Sequence, residues 1–155
     1  MKFGASFTPR FGVLLLAVTM GLSLANNVRA SSRAEILKAI HAVENPHDSH
    51  LPGRYGELGA YQFKRSTWRM YTGVPFQNAL DRVASDTVAI RHYEWIKRGL
   101  IRNGLAPTPY NIALAWNGGL YATIRGRTSA GTRNYAGRVS NLAQEFSASR
   151  LASVR

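Results

Sequence analysis

The chain has 155 residues, no cysteine, and 20 lysine and arginine residues against 8 aspartate and glutamate residues. Its length suits one domain, and the lack of cysteine excludes disulfide bonds and lipid attachment through an N-terminal cysteine. The positive charge is scattered without a long basic run, and such a charge favours polyanionic partners.

Residues 1–30 predict a secretory signal peptide. A basic start precedes an almost wholly apolar run from Gly12 to Ala25, which is shorter than the ~20 residues of a membrane span. Two short segments with small residues, one ending at Ala25 and the other at Ala30, each fit a signal-peptide cleavage site. We therefore expect export to the periplasm or outside the cell, without stable membrane insertion after cleavage; an uncleaved anchor is the alternative. Cleavage after Ala30 leaves 17 basic and 8 acidic residues, a net charge of +9.

The rest of the chain predicts an all-α domain over residues 31–146 and a polar C-terminal tail over residues 147–155. Predicted helices cover residues 33–43, 67–72, 76–83, 86–102, 109–116 and 133–146. Ser32-x-x-Glu35 is a capping box, and Thr108 before a proline is a second helix start. Ser66 or Thr67 is the expected cap of the short helix that carries a tryptophan. No internal repeat interrupts this pattern.

Glu44 is the candidate catalytic residue because of where the first helix ends. Pro46 disfavours helical geometry in the residue before it, so the carboxyl lies in the last turn. The helix dipole disfavours negative charge there. Glu44 follows Leu37 and Ile40 at three- and four-residue spacing, beside the apolar stripe. A glutamate near a helix end is by itself more often solvated surface, but this position also suits a carboxyl that holds a proton.

Three segments in order resemble the soluble lytic transglycosylase family of the lysozyme superfamily. Residues 56–62 read Gly-x-x-Gly-x-x-Gln and place the glutamine eighteen residues after Glu44, as in the family motif. Residues 113–119 resemble its Ala-x-Ala-Tyr-Asn-x-Gly block, and residues 135–139 resemble its closing Tyr-Val-x-x-Val block. The resemblance covers roughly residues 36–142.

The resemblance implies a lysozyme-like fold and cleavage of the β-1,4 bond between N-acetylmuramic acid and N-acetylglucosamine in peptidoglycan. Glu44 would protonate the glycosidic oxygen and then take the proton of the muramic C6 hydroxyl, which closes a 1,6-anhydro ring. The Tyr135 hydroxyl would contact this acid. The candidate substrate-binding residues are Gln62, Tyr61, Trp116, Asn117, Tyr135 and Glu57. From the residues alone, Tyr135 also fits a core tyrosine, Gln62 a loop amide and Asn117 a helix C-cap.

Glu57 is the departure from the family pattern that bears most on the reaction, because a small residue is usual there. Trp116 replaces the usual tyrosine, and Asn45 stands where serine is usual. Glu57 is a loop residue on the surface, a group that supports the site, or the second acid of a hydrolytic muramidase. Asp48 is a further candidate for that second acid. A protein that binds the cell wall without catalysis is the other alternative, although Glu44 argues against it.

The sequence favours neither a metal nor a cofactor. A metal site in the loop would have too few ligands, since the candidates are His47, Asp48 and His50. The glycine-rich loops lack the Gly-Lys-Ser/Thr signature of a phosphate-binding loop. His41 and His92 fit packing or surface positions. Because export argues against a nucleic-acid partner, we expect the partner to be the peptidoglycan glycan strand. We also expect a monomer. Salt-dependent DNA binding would instead favour a basic nucleic-acid-binding or membrane-active protein.

Overall fold

The computed structural model describes residues 31–154, and this part of the chain is helical without a β-strand, which confirms the all-α class. The helices are α1 (Arg33–Glu44), α2 (Arg65–Arg69), a 3-10 helix (Phe76–Leu80), α3 (Arg82–Arg102), α4 (Pro109–Gly118), α5 (Leu120–Ile124) and α6 (Ala130–Ala152). The predicted signal peptide, residues 1–30, lies outside the described residues. Within them, no helix has both the length and the apolar character needed to cross a membrane.

The first helix begins and ends where its sequence predicts. The Ser32 hydroxyl accepts a hydrogen bond from the Glu35 amide, and the Glu35 carboxylate accepts one from the Ser32 amide, so the capping box is confirmed. At the other end, Asn45 caps α1 and its amide donates to the His41 carbonyl. Glu44 is therefore the last helical residue, as the proline two positions later requires.

The core fixes the direction of α1. Helix α6 packs along both α1 and α4, and α4 also contacts α3. Apart from Ser85 of α3, the largest fully buried side chains of these four helices are aliphatic: Ile36 and Ile40 of α1, Val88, Ile96 and Leu100 of α3, Ile112 of α4, and Val139 of α6. Truncating one such side chain to alanine typically destabilises a fold by about 2–5 kcal/mol. Packing against α6 and α3 thus holds α1 in one place.

Two helix starts differ from the prediction. Helix α2 begins at Arg65 with Lys64 at its N-cap and no side-chain cap, so the predicted capping by Ser66 or Thr67 is wrong. Helix α3 begins at Arg82, four residues before the predicted start, because the Asp81 carboxylate accepts a hydrogen bond from the Ala84 amide at 2.8 Å. The predicted helix over residues 76–83 is only the 3-10 helix.

The C-terminal end of the chain also differs from the prediction. Helix α6 starts at the Ser129 cap and continues to Ala152, so the helical end predicted at Phe146 is wrong and most of the 147–155 tail is helical. Ser147 is buried, and Arg150 pairs with the buried carboxylate of Glu35 in α1. A buried carboxylate needs such a partner, so α6 gains a long-range contact that no local pattern shows.

Candidate active site

A cleft of about 680 Å³ contains six of the seven predicted site residues. The loop after α1, the turn before α2, and helices α2 to α5 form its walls. The predicted residues that line it are Glu44, Glu57, Tyr61, Gln62, Trp116 and Asn117. The seventh, Tyr135, is buried in α6 and contacts Glu44 from the core side. The structure therefore brings together side chains that are up to 91 residues apart in sequence.

Asn45 sets the path of the chain directly after Glu44. Its side-chain amide donates to the Ser49 carbonyl at 2.9 Å and to the Gly59 carbonyl at 3.4 Å, and its Oδ1 accepts from the Ser49 amide at 2.8 Å. The side chain is buried and joins the loop to the turn that carries Gln62. Sequence reasoning noted Asn45 only as a departure from a motif, and its positioning role depends on contacts fourteen residues away.

The glycine-rich motif forms a tight turn across the cleft wall. Leu58 and Phe63 exchange two backbone hydrogen bonds of 3.1 and 2.9 Å, which close the turn. Gly59 has a φ of +78°, and a Cβ there would lie 1.8 Å from the Ala79 carbonyl oxygen, so only glycine fits. Gln62 has a φ of +44°, uncommon for a residue with a side chain, and its amide donates to the Gly59 carbonyl at 3.0 Å. The turn holds Gln62 at the cleft.

Glu44 has the electrostatics of a proton donor. It is partly buried at the C-terminal end of α1, and its pKa is raised from the ordinary 4.5 to about 7. Burial is the largest cause and the charge of Glu57 adds to it, while the Tyr135 hydroxyl and the charge of Arg138 act in the opposite direction. A carboxyl with this pKa is present in both protonation states near neutral pH, so it can donate a proton and accept one.

Tyr135 lies directly behind this carboxyl. Its hydroxyl approaches Glu44 closely enough to influence the pKa of both groups, yet it does not complete a hydrogen bond in the geometry seen here. The hydroxyl is buried and has no hydrogen-bond partner elsewhere in residues 31–154. Because an unpaired buried hydroxyl is costly, a small movement of Glu44 towards Tyr135 would be favourable.

Glu57 is part of the cleft and also of the loop that carries it. Its Oε2 accepts a hydrogen bond from the Tyr55 amide at 2.9 Å, and its carbonyl accepts one from the Gly53 amide at 2.8 Å. A Cβ at Gly53 would lie 2.7 Å from Glu57 Oε2 and 2.5 Å from Gln62 Oε1, so both side chains crowd this glycine. Glu57 is half-buried and its charge affects Glu44, which is not the behaviour of a plain surface residue.

Aromatic rings form one wall of the cleft. The Trp116 ring lies 6.0 Å from Tyr61, 5.8 Å from Phe63 and 4.7 Å from His92, measured between ring centroids. The Tyr61 hydroxyl donates to Asp86 at 2.6 Å, so the ring supplies the cleft contact. Aromatic faces of this kind are common in ligand pockets, where a few polar groups fix orientation.

His92 is a cleft residue that sequence reasoning missed. It is buried, contacts the Tyr71 hydroxyl through Nδ1 at 2.9 Å, and stacks on Trp95 with the planes 12° apart. Burial lowers its pKa to about 4, so the imidazole is neutral at ordinary pH. The packing role expected from the sequence is confirmed, but its place in the cleft depends on α3 facing α4, which helical periodicity alone does not give.

Asp48 does not line the cleft that holds Glu44. Its Oδ1 lies 2.7 Å from His41 Nε2, and it lines a separate pocket of about 210 Å³. The other ring nitrogen of His41, Nδ1, accepts from an Arg82 guanidinium N–H at 3.2 Å, so Nε2 carries the proton and donates to Asp48. The structure therefore does not bring the alternative second acid to the candidate catalytic carboxyl.

Among the cleft carboxyls, Glu44 has a pKa that suits proton transfer near neutral pH. Across residues 31–154, no group of three or more histidine, aspartate or glutamate side chains is arranged to hold a metal. Comparison with protein-family models, curated proteins and solved structures found no match. A functional assignment for this chain therefore rests on its own residues.

Proposed function

We propose that this chain is an exported lytic transglycosylase with a lysozyme-like fold, which cleaves the β-1,4 bond between N-acetylmuramic acid and N-acetylglucosamine in peptidoglycan. The observation that carries the proposal is Glu44, a carboxyl with a pKa near 7 that lines an open cleft. The three motif segments support it, because two of them meet in the cleft and Tyr135 of the third lies behind Glu44. A general acid of this kind typically contributes ~10²–10⁴-fold to the rate.

In the proposed reaction Glu44 acts twice on one bound strand. Its proton goes to the glycosidic oxygen while the bond from that oxygen to muramic C1 breaks. The carboxylate then takes the proton of the C6 hydroxyl as O6 bonds to C1. The acid ends protonated, as it began, and no water is consumed. The product is a 1,6-anhydromuramic end together with a free N-acetylglucosamine hydroxyl.

The charge near the cleft supports an anionic glycan as substrate. Arg54 and Lys64 line the cleft, and Arg138 lies close enough to Glu44 to lower the pKa of its carboxyl. Peptidoglycan carries lactyl and peptide carboxylates, which a net positive protein attracts over long range. The aromatic wall at Trp116 and Tyr61 offers apolar faces to the sugar rings.

The contacts of Glu57 favour transfer over hydrolysis. A general base for water needs a carboxylate that is free to accept the water proton. Glu57 Oε2 already accepts the Tyr55 amide and lies against Gly53, so this oxygen is engaged in holding the loop. In the proposed reaction the substrate supplies the nucleophile, and Glu57 is needed only to raise the pKa of Glu44.

Hydrolysis by a muramidase is the second candidate, and one observation favours it. Glu57 lines the same cleft as Glu44, and its charge raises the pKa of that carboxyl. This is the general arrangement of two carboxylates with different roles. The products differ: hydrolysis leaves a reducing end that is heavier by one water.

Release of soluble fragments from purified cell walls tests whether the cleft is catalytic. We expect the wild-type protein to release them and Glu44→Gln to be at least ~10²-fold slower, because the amide keeps the shape but cannot donate the proton. Glu145→Gln, an exposed change on α6, is the control and should retain activity. Binding of walls without release by the wild-type protein would contradict catalysis and leave a wall-binding protein.

A further inference from the structure

One end of the cleft carries an aromatic pair that the proposed proton transfer does not use. The Trp95 indole lines the cleft and remains 38% exposed, and it stacks on the buried His92 ring at a centroid distance of 5.9 Å. The Tyr71 hydroxyl contacts His92, and His92 also contacts Trp116 at 4.7 Å. The exposed indole therefore rests on a fixed base.

A cation lies beside this pair on the same helix. Arg91, Trp95 and Arg98 are spaced four and three residues apart, which places them on one face of α3. Arg91 is engaged, because it donates to the Tyr71 carbonyl at 2.6 Å. Arg98 is exposed and forms none of the ion pairs seen in residues 31–154. Burial raises the pKa of Tyr71 and the charge of Arg98 opposes this, so the guanidinium lies near the phenol that contacts His92.

Helices α3 and α5 close this end of the cleft. Gly99 lies inside α3, where glycine costs about 1 kcal/mol relative to alanine. A Cβ there would lie 2.2 Å from Leu120 Cδ2, so the glycine lets α5 approach α3 one turn beyond Trp95. Leu120 also lines the cleft. The end wall is therefore made of α3 and α5, with Trp95 and Leu120 exposed to the cleft.

We infer that Trp95, supported by His92, and Arg98 form a subsite for a sugar that carries a carboxylate. The indole takes the apolar face of the sugar ring, and the guanidinium pairs with the carboxylate on that sugar. An uncharged sugar of the same size would use the indole alone. This inference rests on the proposed function, because it assigns to one end of the same cleft a preference for muramic acid over glucosamine.

Binding to an inactive parent separates this subsite from catalysis. The parent is Glu44→Gln, and the two ligands are a tetrasaccharide of alternating N-acetylglucosamine and N-acetylmuramic acid and chitotetraose, which lacks the lactyl carboxylates. We expect calorimetry to show tighter binding of the muramic ligand. In this parent, Trp95→Ala should weaken both ligands at least about tenfold, and Trp95→Phe should restore most of the affinity.

Arg98→Gln should weaken only the muramic ligand, by about threefold to tenfold, and reduce the preference for it. One control matches Trp95 in exposure, and the other matches Arg98 in charge. Ile90→Ala removes an apolar side chain that is also 38% exposed on α3 but lies outside the cleft. Lys38→Gln removes an exposed positive charge on α1, where the ammonium packs over Phe146. Both should bind like the parent.

The outcomes distinguish the subsite from the proposed function. Failure of the parent to bind either glycan would contradict the proposed function and the subsite with it. If both glycans bind and Trp95→Ala behaves like Ile90→Ala, the subsite is wrong and the proposed function stands. Equal binding of the two glycans by the parent, or equal weakening of both by Arg98→Gln, would overturn the role given to Arg98.

Discussion

Replacing Glu44 with glutamine should stabilise the protein at neutral and alkaline pH. The folded protein holds this carboxyl at a pKa of about 7, compared with 4.5 as the ordinary value in an unfolded chain. Between these two values the unfolded chain releases the proton and the folded protein keeps it. Stability therefore falls as pH rises through this interval, since stability rises with pH only where the unfolded state binds more protons.

The difference between 4.5 and about 7 corresponds to roughly 3 kcal/mol, at about 1.4 kcal/mol for each pH unit. Below pH 4.5 Glu44 is protonated in both the folded and the unfolded state, so its charge does not lower the free energy of unfolding. Above pH 7 the whole cost is present, and Glu44→Gln removes it. The free energy of unfolding of Glu44→Gln, relative to the wild-type protein, should thus rise by roughly 3 kcal/mol between pH 4 and pH 8.

Urea unfolding at a series of pH values measures this difference directly. Glu145→Gln, which removes an exposed carboxylate of α6, serves as the matched control and should show no comparable rise. Other titrating groups are common to all three proteins and cancel in the comparison. A difference that stays constant from pH 4 to pH 8, or that falls, would refute the placement of Glu44 in a site that disfavours its charge.

Three further results are expected. Glu57→Gln should lower activity without changing the product, and should move the alkaline loss of kcat/KM to lower pH, because the charge of Glu57 raises the pKa of Glu44; an unmoved pH profile would contradict that coupling. Gly59→Ala should destabilise far more than Gly104→Ala in thermal unfolding: both have positive φ, but only Gly59 has a backbone oxygen 1.8 Å from the added carbon. N-terminal sequencing of protein from its native envelope should begin after Ala25 or Ala30, whereas an intact Met1 would rule out cleavage.

Helix ends governed by local chemistry were predictable from the sequence. The capping box at Ser32 and the proline after Asn45 fix both ends of α1, and Thr108 fixes the start of α4. These signals need only the residues within one turn of the helix end.

Features that depend on distant contacts were not predictable. Past Phe146, Arg150 of helix α6 reaches a carboxylate 115 residues earlier, and Leu120 of α5 lies against Gly99 of α3. His92 belongs to the cleft only because α3 and α4 face each other. Asn45 acts through Gly59, fourteen residues later. In each case the decisive partner lies on another element, which local spacing does not show.

The two candidate second acids lie close together in sequence but line different pockets. The sequence makes both Asp48 and Glu57 candidates for the second acid on the basis of loop position. The structure separates them, because His41 and Arg82 hold Asp48 at another pocket while Glu57 stays in the cleft. The path of the loop, which the buried Asn45 ties to Ser49 and Gly59, separates these two carboxylates.

The mass of the glycan ends released from purified peptidoglycan tests the central claim most directly. If Glu44 alone moves the proton and the substrate C6 hydroxyl is the nucleophile, each cut leaves a 1,6-anhydromuramic end, which borohydride does not reduce. The wild-type protein should yield these ends and Glu44→Gln should yield almost none. Products heavier by one water, with ends that borohydride reduces, would contradict the claim and identify a muramidase in which Glu57 activates water.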